Sequence, residues 1–355
     1  MKIFGIGVIC SQGLGVAAFE QALKRGWQSP GETAAHWMGG EKAQAYLVTF
    51  DALPDKELLK KIRRSDALSK MSVLAASDAL VNSGMENIAK KKLGIIVATA
   101  FGPHMTTFNF LDDILDHGDG AVSPTTFSNS VHNAAASYIA MSLNIKGPTL
   151  TITQFRFSFQ SALQLAQAWL DQGRCDYVLA GAVDQYSDVL GYISDRKLTT
   201  AKDGKIRPFT FNPTCQVPGE GAAFFLLSNE RGGSGYCFVN AVHTNDDPGQ
   251  GKPVDINIID ADGMLPDESA YLASLSDDIP TAAYSPLFGS MMIGSAFNTA
   301  AGALMLKQQT RYATPVQDNP HGIRLLTESE SGPVETIRCT GLDCYARRSV
   351  LYLRR

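Results

Sequence analysis

Uninterrupted apolar runs alternate with amphipathic stretches along most of the chain. Residues 2–9 read as a buried strand, followed by a turn at Gly13 and Gly15 and a helix through Phe19, Ala22 and Leu23. A polar stretch bearing Lys and Arg leads into KIRRSDALSKMSVLAASDALVNSGM, where Met71, Leu74, Ala75, Ala79 and Leu80 fall at helical spacing and Gly84 is placed to cap the end. LGIIVATAFG then reads as a strand covered on both faces. Pro124 opens a helix rich in small residues along SNSVHNAAASYIAMSL, and GPTLTITQF is a β-branched strand. SFQSALQLAQAWLDQG predicts a helix and CDYVLAGAV another buried strand.

The pattern starts afresh after GEGAAFFLL. GYCFVNAVHTND and PVDINIIDADG read as strands, helical stretches centre on Ala270 and Thr299, and TIRCTG and SVLYLRR close the chain as strands. ERGGSG, Glu230 to Gly235, is the best boundary, so a first half of 1–230 and a shorter second half of 231–355 are expected. Strand, helix and buried strand in repeated succession predict an α/β fold with mostly parallel sheets.

Composition narrows the function classes. The 355 residues suit two units of ordinary size, and 45% hydrophobic content excludes intrinsic disorder. A net charge of -4 without a basic cluster argues against nucleic acid as the main partner. The six cysteines, at 10, 175, 215, 237, 339 and 344, make no CxxC pair, which points to a reducing compartment and to no metal site. The N-terminal apolar run is broken by Gly5 and Gly7 and flows into a helix, unlike a signal peptide. No stretch reaches the roughly 18 apolar residues that a membrane span needs. A cytoplasmic protein is expected.

Five segments in order carry a resemblance: GIGVICSQGLGVAAFEQAL, SPTTFSNSVHNAAASYIA, GPTLTITQFRFSFQSAL, CDYVLAGAVDQ and RPFTFNPTCQVPGEGAAFFLL. Together they resemble a β-ketoacyl synthase. The resemblance spans the chain but is dense only through residue 230. It implies a thiolase-like fold, with two pseudo-duplicated halves of mixed, mostly parallel sheets in an αβαβα layering.

The family's chemistry requires a cysteine at a helix N-terminus, where amide groups lower its pKa and hold the thioester oxyanion. Two histidines and a lysine complete the site. Counting from the GP turn, and independently back from CDYVLAGA, puts Arg156 at the cysteine position. IDADGM puts Asp262 at the first histidine. YSPLFGSMMIGSAFN offers Ser290 or Met291 at the second and Ser285 or Pro286 at the lysine. The glycine-rich gating loop reads Asp343, Cys344, Tyr345 and Ala346. The six histidines, at 36, 104, 117, 132, 243 and 321, all fall elsewhere.

Loss of every catalytic landmark argues against condensation. Arg156 is permanently cationic and no nucleophile. Phe155, Arg156 and Phe157 are expected to plug the acyl cavity, and Arg156 to pair with Asp262. Ser158 is expected as a helix N-cap, Cys215 as a buried thiol and His132 as a packed, hydrogen-bonded histidine. Phe101, Met105, Phe108 and Phe110 follow a strand where the family lines its acyl tunnel near the dimer interface, so they are expected either to shape a partner's tunnel or, as aromatic residues at such spacing usually do, to pack in the core. The chain therefore resembles a chain-length factor, most closely the subunits of bacterial aryl polyene pathways. This resemblance implies a heterodimer with an active β-ketoacyl synthase, an acyl carrier protein docking on the complex, and no cofactor. Two other readings stand beside it: a thiolase-fold hydrolase or decarboxylase using Ser158, Cys215 or Asp262, and a homodimeric acyl-binding protein.

Overall fold

The computed structural model describes residues 1–35, 41–50, 56–85, 92–118, 120, 122–245 and 253–355, so His36 lies outside the described residues. The first half runs β1 (Lys2–Cys10), β2 (Gly13–Leu14), α1 (Val16–Arg25), β3 (Gly31–Ala35), β4 (Glu41–Ala45), α2 (Lys56–Lys61), α3 (Ala67–Asn82), β5 (Leu93–Thr99), α4 (His104–His117), α5 (Pro124–Asn129), α6 (Ala134–Ser142), β6 (Thr149–Thr153), α7 (Ser158–Asp171), β7 (Tyr177–Asp184), α8 (Asp188–Lys197) and β8 (Gly221–Ser228). The second half runs β9 (Cys237–Thr244), β10 (Ile256–Ile259), a 3-10 helix (Ser269–Ser274), β11 (Thr281–Ala282), α9 (Ser285–Phe288), α10 (Gly294–Gln308), β12 (Thr310–Arg311), β13 (Glu330–Ser331), β14 (Thr336–Leu342) and β15 (Arg348–Arg354).

One 11-stranded sheet is made of two halves that repeat one topology over five strands each, with β2 added beside β1. Hydrogen-bonded order is β6-β5-β7-β8-β1 in the first and β11-β10-β14-β15-β9 in the second. Each has parallel pairs among its first three strands and antiparallel pairs among the rest. The parallel pairing expected from the sequence is thus confined to the crossover ends, where β6–α7–β7 and β11–α10–β14 supply the helical connections. β1 links the halves through two register pairs, Lys2 with Phe238 and Ile3 with Cys237.

Alternating side chains build the layers. Ile95, Val97, Leu179 and Phe224 face the outer core with α3 and α6, while Ile96, Ala98 and Phe225 face the inner core with α7 and α10. α3 crosses β1 at backbone contact because Gly5 and Gly7 carry no Cβ; one added at Gly7 would lie 1.9 Å from the Ala75 carbonyl oxygen. α7 packs on β5, β7 and β9, and α10 on β1, β8 and β14, so these helices form the middle layer. On the far face of the second half of the sheet, among the described residues, the helical cover is only the 3-10 turn. Tyr271 packs there with Ile259, Ala283 and Leu342, and Arg338 and Arg348 donate to the carbonyls of Ser274 and Ala270.

Several local expectations are corrected. The Pro124 helix is two helices, because Ser130 turns its hydroxyl back onto the Phe127 carbonyl and a new helix begins at Ala134. The polar stretch before α3 contains the β3–β4 hairpin, which its composition concealed. The stretch around Ala270 is a 3-10 turn rather than an α-helix.

Candidate functional site

The carboxyl ends of the parallel strands converge, where open α/β sheets place their ligands. β6 ends into Arg156, β7 at Asp184, β10 into Asp260 and Asp262, and β14 into Asp343. The turn from β6 into α7 is tight: Phe157 takes a left-handed conformation, φ 66° and ψ 10°, at the position preceding the helix. Phe157, not Ser158, is therefore the N-cap residue. Ser158 is the first helical residue, and its buried hydroxyl finds no hydrogen-bond partner.

Arg156 and Asp262 form a two-pronged ion pair. Nη2 donates to Oδ1 at 2.9 Å and Nη1 to Oδ2 at 3.3 Å. Asp260 Oδ2 lies 3.8 Å from Nη1. The Met264 amide also donates to Asp262 Oδ1, and the neighbouring Gly263 amide to Glu268 Oε1. Ser290 donates its hydroxyl to the Asp262 carbonyl and accepts from the Val217 amide. A buried guanidinium thus ties together the two residues expected at the cysteine and first histidine positions, and Ser290 pins the backbone beneath them.

Acids outnumber this cation. Burial, then the Asp262 charge, lifts the Asp260 carboxyl to about 7 against the pull of Arg156. Burial and Asp262 likewise hold Glu268 well above the carboxylate range. Asp184 is raised to about 6, chiefly by burial, despite bonds from Thr99 and Ala100. Burial alone would lower the Arg156 pKa, but Asp262 and Asp260 outweigh it and the group stays cationic.

Beside this cluster lies a cavity of about 370 Å³, lined mainly by apolar side chains that include Phe101, Phe155, Leu190, Met264, Met291 and Met292. Arg156, Asp184, Ser290 and Cys344 also reach its wall. The FRFSF segment does not close it: Phe155 stands on the wall 64% exposed, while Phe157 is buried beneath. Phe108 and Phe110 lie elsewhere, on α4, a helix with no buried residue; Phe108 is exposed and Phe110 packs on Phe127. Met105 is on the same helix. Core packing, the usual fate of such aromatic residues, is absent there.

Other expectations shift too. His132 is exposed, its ring lying over Gly102. Cys215 is half-buried against the Tyr46, Ala201, Ile206 and Val217 cluster. Ser285 is buried and donates to the Ala261 carbonyl, and Pro286 is buried beside it. Where the gating loop is expected, Asp343 organises a turn by accepting from the Tyr345 and Arg347 amides and the Arg347 side chain. Sequence reasoning missed Asp184, Asp260 and Glu268. Asp184 and Asp260 sit at or just after a strand end, the one signal that pointed to them, whereas Glu268 precedes the 3-10 turn and carried no such signal. Among the described residues, no cluster of His, Cys, Asp or Glu is arranged to hold a metal, and no helix is long and apolar enough to cross a membrane.

Comparison with known proteins places this arrangement. The model of the β-ketoacyl synthase N-terminal domain matches residues 2–231. Nodulation protein E of Rhizobium meliloti is 25% identical over 64% of this chain and 57% of its own length. A 3-oxoacyl-[acyl-carrier-protein] synthase 2 of Coxiella burnetii is 24% identical over 63% of this chain and 56% of its own. The matched stretches thus span little more than half of these relatives. Among solved structures, the ishigamide ketosynthase/chain length factor aligns with a TM-score of 0.84 at 18% identity, covering 99% of this chain and 98% of that one. A β-ketoacyl synthase of Burkholderia phymatum aligns with a TM-score of 0.80 at 18% identity over the full length of both. At such identities the structures share the fold.

Proposed function

This chain belongs to the β-ketoacyl synthase family, and on that premise we propose that it is a non-condensing subunit, chain-length-factor-like, that pairs with an active β-ketoacyl synthase and helps shape its acyl tunnel. One observation carries the reading: Arg156, at the nucleophile position, is held by Asp262, at the first histidine position. Condensation needs a thiolate to accept the acyl group and neutral donors to stabilise the enolate released by decarboxylation. A guanidinium cannot accept an acyl group, and a carboxylate at the histidine position repels developing negative charge.

The surface supports pairing. Among the described residues, β6 ends its sheet with one edge bare of any strand, and its residues are exposed or half-buried. Such an edge is a ready template for another chain. Exposed apolar side chains lie on the strand itself and on two helices: Leu150 on β6, Phe108, Leu111 and Leu115 on α4, and Phe127 on α5, all at least 43% exposed. Interface residues of this kind need cover in a monomeric soluble protein. The aryl polyene or polyketide setting and the use of an acyl carrier protein belong to this proposal. Halves of 1–230 and 231–355 are its domain division, and its compartment is the cytoplasm.

The test is a pull-down at native expression with mass spectrometry of what co-elutes and the native mass of the complex. A stoichiometric heterodimer with a ketosynthase retaining Cys-His-His is the expected result. A homodimer without such a partner would remove the pairing role.

A further inference from the structure

Ser187 and His104 meet where α8 and α4 begin. Ser187 Oγ lies 2.7 Å from His104 Nε2, and His104 Nδ1 lies 3.2 Å from the Gly102 carbonyl oxygen. A carbonyl can only accept, so Nδ1 carries the ring proton and Nε2 offers its lone pair to the Ser187 hydroxyl. The peptide that sets this tautomer is itself held: the Gly102 amide donates to Thr99 Oγ1, and the Thr99 hydroxyl donates to Asp184 Oδ1. Thr99, Asp184 and Ser187 are each at most 5% exposed. Burial lowers the His104 pKa below its ordinary 6.5, against the pull of the Gly102 bond and of Asp66 on α3's first turn, so the ring is neutral at pH 7. Ser187 also caps α8, accepting from the Leu190 amide at 3.2 Å. Its chain neighbours Gln185, Tyr186 and Leu190 line the cavity, as does Phe101, whose ring stands edge-on to His104.

We propose that Ser187 and His104 are a nucleophile and its general base, oriented by the Gly102 carbonyl, and that they hydrolyse small carboxylic esters or thioesters. A hydroxyl within hydrogen-bond reach of a neutral imidazole, whose other nitrogen is fixed by a third group, is the arrangement that nucleophilic catalysis needs. Ser187 Oγ adds to the carbonyl carbon while its proton passes to His104 Nε2. The ester C–O or thioester C–S bond then breaks, and the leaving alcohol or thiol takes that proton. Water, losing a proton to the same Nε2, attacks the acyl-serine; the carboxylic acid leaves and Ser187 regains its proton. Water is the only co-reactant. The positive end of α8, a ten-residue helix, favours the negative charge that develops on the carbonyl oxygen during addition. Asp184 and Thr99 touch no substrate in this scheme; they position Gly102. Hydrolysis proceeds with or without a ketosynthase partner.

The full chain, treated with a fluorophosphonate probe and assayed with p-nitrophenyl butyrate, tests this. One adduct, mapped to Ser187 by peptide mass spectrometry, is expected. Turnover should rise with pH through a value below 6.5, as His104 loses its second proton. Ser187→Asn keeps a side chain able to cap α8 but has no nucleophile, and His104→Gln keeps a hydrogen-bonding group but has no base. Each should cut turnover at least about 100-fold at an unchanged melting temperature. A purely structural serine and histidine would leave the pH profile flat. Should one variant not fold, the other and the wild-type adduct decide. No adduct on Ser187, turnover that survives Ser187→Asn, or a flat profile between pH 5 and 8 would each overturn the proposal. All of this is read on the chain without a partner, so failure here and absence of a ketosynthase in the pull-down are separate results.

Discussion

Ser290 lies directly beneath Asp262: its hydroxyl donates to the Asp262 carbonyl while its oxygen accepts from the Val217 amide. One of the two residues that the resemblance offers for the second histidine is thus a backbone tie. Its neighbour Met291 also reaches the cavity wall, as an apolar side chain. The two residues offered for that position therefore differ in their bonding, and neither is able to act as a base.

Restoring the thiol should not restore condensation. Arg156→Cys is expected to give no measurable condensation or malonyl decarboxylation with carrier-protein substrates, because Asp262 and Ser290 supply no imidazole. Steady turnover by that variant, measured as carbon dioxide release, would show that the rest of the site is competent.

Breaking the buried pair should cost more than replacing it. Arg156→Ala leaves Asp262 buried without its partner and should destabilise the protein by about 3–5 kcal/mol. Arg156→Met combined with Asp262→Leu should lose much less than the sum of its single changes. Urea unfolding at pH 7 measures both; additive losses would mean that the pair carries no coupling.

Stability should fall as pH rises through this cluster. The Asp260 carboxyl titrates near 7 in the folded protein, above its ordinary value of 3.8. The folded state therefore holds a proton that the unfolded chain releases between about pH 4 and 7. The contribution of Asp260 is full below its unfolded pKa, declines across that interval and is flat above the folded value. Glu268 shifts in the same direction. Unfolding free energies of wild type and Asp260→Asn, compared from pH 4 to 8, should diverge along this course; parallel curves would place the proton elsewhere.

A charge on the bare sheet edge should break assembly without harming the fold. Leu150→Lys on β6 replaces a side chain 43% exposed and should weaken pairing on the order of 100-fold, the effect of losing a central interface anchor. Native mass measurement against an unchanged melting temperature checks it. Retained pairing would move the interface away from β6.

Much of the fold was legible because the apolar periods were clean. β1, β5, β7 and β8 are buried along their whole length, which is what their unbroken apolar runs require. The Arg156–Asp262 meeting was also foreseeable, since it needed only two alignments and opposite charges. The acids around that pair were not. Asp184, Asp260 and Glu268 look like ordinary turn residues in one dimension, and only the convergence of strands from both halves makes them neighbours. The α4 aromatic residues misled for a related reason: a helical spacing of apolar residues reports that a face needs cover, not that this same chain provides it.

The middle layer has a consequence for how the protein is made. α7 and α10 lie between two halves of a sheet that join through only two register pairs, and every residue of α10 from Gly294 to Leu306 is buried. A nascent chain released only through β8 would have its inner face, with Phe159, Phe225 and Leu227, open to water until α10 emerged some seventy residues later. Synthesis at about 5–20 residues per second leaves that surface bare for several seconds, long enough for misassembly. The first half is in this sense a client awaiting its own C-terminus, and a truncated chain ending near residue 230 should accumulate on chaperones or in inclusion bodies rather than as a soluble domain.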